Sequence, residues 1–61
     1  DVAALTTCLA DREWWVRYRA AQALRQLPGV GDPGLAAAAA ATGDRYAIDM
    51  AEQVLAEDDL A

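Results

Sequence analysis

"REWWVRYRAAQAL", residues 12–24, is the stretch on which the fold turns. Val16, Ala20, Ala23 and Leu24, with Leu27 just beyond, fall at offsets 0, 4, 7, 8 and 11, which is one apolar stripe along an α-helix. A helix over residues 13–27 is therefore predicted, with Asp11 as its N-cap. Pro28 and Gly29 stop it, because proline brings no backbone N–H and glycine readily takes the left-handed conformation that ends a helix. The aromatic and basic residues stand off that stripe. Trp14, Tyr18, Gln22 and Arg25 follow offsets 0, 4, 8 and 11 on a face of their own, while Trp15 and Arg19 are four apart, close enough for a guanidinium to cover an indole.

Outward from this stretch, three more helices are expected. Upstream, Leu5 and Leu9 are four apart with Val2 one turn earlier, predicting a helix over residues 2–10. Downstream, Asp32 is the expected cap of a helix beginning at Pro33, where proline is tolerated, and running through Leu35 and six consecutive alanines to Thr42 and Gly43. Alanine is the best helix former, and its small side chain lets helices approach closely. Asp44 caps a last helix whose Ile48, Ala51, Val54 and Leu55 continue the stripe. Its end is expected near Ala56, since the acidic residues beyond oppose the helix dipole. The predicted core draws Val2, Leu5, Cys8 and Leu9 from the first helix and Leu35 and Ala38 from the third, with the two stripes of the second and fourth.

The four helices form a repeat. A shift of 31 residues superposes Ala20 on Ala51, Gln22 on Gln53, Leu24 on Leu55, Trp15 on Tyr46, and Val16 on Ala47. A shift of 30 brings Leu5 onto Leu35. A helical hairpin of about thirty residues lies within the period range of solenoid repeats, whose hairpins make a core only by stacking.

The stretch "LTTCLADREWWVRYRAAQAL", residues 5–24, resembles the HEAT repeat in its short bacterial form, related to phycobilisome-lyase-type repeats; "GDRYAIDMAEQVL" looks like a degenerate second copy in which Ala47 and Ile48 replace the Val16–Arg17 pair. The resemblance implies an all-α fold, an α-solenoid fragment of two antiparallel helical hairpins: residues 1–30 as the first HEAT-like repeat and 31–61 as a degenerate second. It also implies that Arg17 pairs with an inter-repeat aspartate, Asp11 or Asp44. Function is less constrained, because such arrays serve many unrelated roles. The expected role is a protein–protein interaction or scaffolding module within a larger, bacterial-type cytoplasmic protein. The alternative is the repeat region of a chromophore-lyase-like or other HEAT-containing enzyme, in which it is structural and not itself catalytic.

Charge and composition narrow the partners. Residues 12–27 carry Arg12, Arg17, Arg19 and Arg25 against Glu13 alone, whereas residues 32–61 carry seven acidic groups against Arg45. Stacked hairpins place these segments side by side, so inter-repeat ion pairs are expected among Asp11, Arg17, Arg19, Asp44, Asp49 and Glu52. The remaining face, Trp14, Tyr18, Gln22 and Arg25, is the candidate protein-contact surface, since Trp, Tyr and Arg are enriched at binding hot spots. A net charge of −5 argues against nucleic acid, which needs several net phosphate neutralisations, and the acidic half argues against an anionic membrane.

No catalytic group is expected. Serine and histidine are absent, which removes the hydrolase triads, and a single Cys8 without histidine supports neither a zinc cage nor an activated thiol. Cys8 reads as a small buried hydrophobe in a reducing compartment. "GVGDPG" is a turn after a helix, broken by Pro33, and no phosphate cradle. No cofactor or metal is expected. At 61 residues the chain buries only about 60% of the surface its unfolded chain exposes, so adjacent repeats of a parent chain or self-association are the expected source of stability.

Overall fold

Asp1 opens the first helix: its carboxylate accepts a hydrogen bond from the Ala4 N–H at 2.8 Å, an N-cap that satisfies one of the first turn's unpaired donors. The structure is a computed structural model that describes residues 1–58, for Asp58 the backbone only. Four helices fill it: α1 (Val2–Cys8), α2 (Trp14–Gln26), α3 (Gly31–Thr42) and α4 (Arg45–Asp58). No strand occurs among the described residues.

Helix starts follow local polar chemistry, with two corrections. Asp11 does not cap α2. Its Oδ1 accepts from the Glu13 N–H at 2.9 Å, a tight loop that orders the connection, and extended Glu13 holds the cap position without a side-chain bond. Nor does Asp32 cap α3, which starts two residues earlier than expected, at Gly31. Asp32 sits in the first turn, where the helix dipole favours a carboxylate, and binds Arg25. Pro33 remains inside that turn, where its missing N–H costs nothing. Asp44 caps α4 as expected, accepting from Tyr46 and Ala47 N–H at 2.8 and 3.2 Å.

Helix ends are equally local. α1 stops at Cys8 because the N–H groups of Ala10 and Asp11 bond three residues back, tightening the last turn. Leu27 is extended (φ −70°, ψ 136°), the conformation that a following proline imposes. Gly43 ends α3 in the left-handed region at φ 68°. Thr42 bridges that turn, donating to the Ala39 carbonyl and accepting from the Asp44 N–H.

The helices pair as two hairpins, α1 with α2 and α3 with α4, and these pack so that α2 touches all three others while α1 and α4 do not meet. Leu9, Leu24, Leu35 and Val54 are fully enclosed, surrounded by Ala20, Ala21, Ala39, Ala47, Met50 and Ala51. Five of these ten residues are alanines, whose small side chains let neighbouring helices approach closely. Three expected core residues lie at the surface instead: Val2, Val16 and Ile48. In α4 the buried set is Ala47, Met50, Ala51 and Val54, a stripe turned away from the expected one through Ile48. Ala21, Ala39, Ala47 and Met50 were not expected in the core. All four belong to the one buried cluster that the two hairpins share.

Candidate interaction face

The α2 N-terminal turns carry a ring cluster. Trp14 stacks on Tyr18 with centroids 4.9 Å apart and planes 13° from parallel. Trp15 meets both edge-on, at 5.0 Å from Trp14 and 5.8 Å from Tyr18. One turn of helix brings the i, i+1 and i+4 rings together, and offset or edge-on geometry is what their quadrupoles favour. Trp15 is 63% exposed and Trp14 40% exposed.

The rest of the expected contact face is engaged inside the molecule. The Tyr18 hydroxyl donates to Glu57 Oε1 on α4 at 2.9 Å, and the ring packs against the core. That hydrogen bond, followed by partial burial and the nearby negative charge, raises the phenol above its ordinary pKa of 10.0. Arg25 binds Asp32 through Nε at 2.7 Å and the Val54 carbonyl through Nη1 at 3.2 Å, so it ties α2 to both α3 and α4. Gln22 is half-buried. Tyr18 and Arg25 therefore act as struts, and the exposed member of the face is Trp14, with Trp15, outside the expected set, exposed beside it.

The basic stripe finds partners other than those expected. Arg17 Nη1 donates to the backbone carbonyls of Asp11 and Arg12 at 2.9 and 3.1 Å, and its guanidinium lies 5.1 Å from the Tyr46 ring centroid. Asp11 is thus met at its carbonyl, while its carboxylate and that of Asp44 serve backbone N–H groups. Arg17 Nε is buried with no hydrogen-bond partner among the described residues. Among the described residues the cation–π contact is that of Arg17 over Tyr46, not Arg19 over Trp15, and Trp15 meets the rings of Trp14 and Tyr18. Among the described residues neither Arg17 nor Arg19 forms an ion pair with Asp49 or Glu52; the ion pair present is Arg25–Asp32. Asp49 and Glu52 are exposed. Sequence reasoning missed Asp32, Tyr46 and Glu57 as partners of Arg25, Arg17 and Tyr18. Only the Arg25–Asp32 pair, seven residues apart across one turn, carried a local signal.

Three shallow concavities mark the surface. One of about 350 Å³ runs between α1 and α2 over Leu5, Cys8, Val16, Ala20 and Ala23, with Arg19 at its rim. Another, about 320 Å³, lies on the second hairpin at Gly43, Arg45, Ile48, Asp49 and Glu52. The third, about 450 Å³, joins the two interhelical turns around Arg17, Asp44 and Tyr46. Among the described residues no group of three or more His, Cys, Asp or Glu is placed to hold a metal ion, and no helix is long and apolar enough to cross a membrane. No protein-family model matches the chain, and neither the curated proteins nor the solved structures contain a match.

Proposed function

We propose that this chain is a protein-binding module, a HEAT-like α-solenoid segment whose partner contact centres on Trp14 and Trp15. The observation that carries it is the pair of indoles held at the surface by stacking on Tyr18, itself anchored to α4. Two large rings already ordered before binding lose little side-chain freedom on contact, and aromatic anchors of this kind dominate interface energies. The stacked hairpins supply the rigid platform. Holding a partner, with no chemistry performed on it, is the role this surface supports.

Capture from cell extract by the immobilised chain, compared with Trp14→Ala/Trp15→Ala, tests the proposal. The variant is expected to retain its helical circular dichroism and lose the captured protein. Equal capture by both overturns it. Pairing Trp14→Ala with Tyr18→Ala is a poorer test, since loss of Tyr18 also cuts the strut to Glu57.

A further inference from the structure

The two hairpins present complementary faces at opposite ends, and we propose that the α1–α2 groove of one chain seats on the Ile48–Glu52 face of a second copy, building head-to-tail assemblies. All residues lining the apolar groove belong to α1 and α2, so it opens on the side of that hairpin which α3 and α4 leave uncovered. All residues around Ile48 belong to the second hairpin and its turn, on the side the first leaves uncovered.

The internal repeat says what fits between them. Ala47, Met50, Ala51 and Val54 are the buried side of α4, enclosed in the core that it shares with α2 and α3. The 31-residue shift places these on Val16, Arg19, Ala20 and Ala23, four of the groove's six lining residues. In the first helix of each hairpin, where the shift is 30, Leu5 corresponds to Leu35, which is fully enclosed where Leu5 is half-buried. On the opposite side, the shift places Arg17, Tyr18 and Ala21 on Ile48, Asp49 and Glu52. Arg17 and Tyr18 are among the α2 residues turned toward the second hairpin, Arg17 lying over Tyr46 and Tyr18 bonding Glu57, and Ala21, one turn on, is fully buried. Each end thus repeats one half of the joint already made inside the chain.

Charge agrees with this polarity. The one departure from apolar character in the groove is Arg19, at the position that Met50 fills in the second hairpin. The opposing face carries Asp49 and Glu52 against Arg45. Val16 and Ile48, 36% and 37% exposed, are the apolar centres that the joint would cover. Because donor and acceptor faces differ, the contact is heterologous, and a head-to-tail dimer keeps one free face of each kind for a further copy. It is distinct from the Trp14–Trp15 surface.

Sedimentation of the chain up to roughly 1 mM, the range of weak contacts, tests the proposal. Wild type is expected to show a mass that keeps rising with concentration beyond the dimer. Val16→Arg blocks the groove and Ile48→Arg blocks the opposing face, so each alone is expected to be monomeric with unchanged helicity. Mixed, they retain one intact joint and give a heterodimer that stops there. Arg19→Glu, which leaves both apolar centres in place, is expected to weaken wild-type association by roughly tenfold or more. A wild type that stays monomeric or stops at a dimer, or a mixture of folded variants that fails to pair, overturns the proposal. Should either Arg variant not fold, association unaffected by Arg19→Glu overturns it instead.

Discussion

Single residues decide how the hairpins are joined. Tyr18 and Arg25 were legible as a polar–aromatic face, since their spacing sets them apart from the apolar stripe. That they are struts was not legible, because Glu57 and Val54 lie 39 and 29 positions away from the residues they bind. The Tyr18–Glu57 bond has a pH signature. The phenol is held above its ordinary value of 10.0, chiefly because it donates to a carboxylate. Its contribution is thus fully present below that value and is lost as pH rises through the higher folded-state pKa. A phenolate absorbance titration is expected to show Tyr18 ionising late, and Glu57→Gln to move it back toward the free value. At the centre of the core, Leu24→Ala is expected to cost about 2–5 kcal/mol in a denaturant melt. A loss well below that range would mean that the surrounding helices collapse into the gap.

At the scale of the element, boundaries were legible to within one or two residues, because they depend on short-range chemistry. Pro28 forces Leu27 to be extended, Gly43 takes the left-handed turn, and Asp44 binds the first N–H groups of α4. Asp44→Ala is expected to destabilise the fold by about 1 kcal/mol through loss of that cap, read as a lowered Tm. The two misplaced caps share one cause: Asp11 and Asp32 both have a competing partner, the Glu13 N–H and the Arg25 guanidinium. Gly34 shows a constraint of another kind. A Cβ there would lie 2.6 Å from Val30 Cγ1, so Gly34→Ala is expected to destabilise despite alanine's higher helix propensity. A rise in Tm for that variant would show that Val30 swings aside freely.

At the scale of the whole molecule, the hairpins share one core, since Leu9 and Leu24 of the first are enclosed together with Leu35 and Val54 of the second. Thermal unfolding is expected to be a single transition, and a peptide of residues 1–30 to show little helix by circular dichroism. A well-folded isolated hairpin would mean that the shared core contributes little. The sequence by itself determined the number of helices, their limits to within two residues and their pairing into two hairpins, because periodicity, capping and turn chemistry act over a few residues. Tertiary structure alone decided which side of each stripe is buried, and so why Ala47 and Met50 are covered while Val16 and Ile48 face outward. It also decided which charges meet. An apolar side chain gains by burial in any direction, and an arginine can satisfy itself on a carbonyl, a ring or a carboxylate. Only the arrangement of neighbouring helices selects among these.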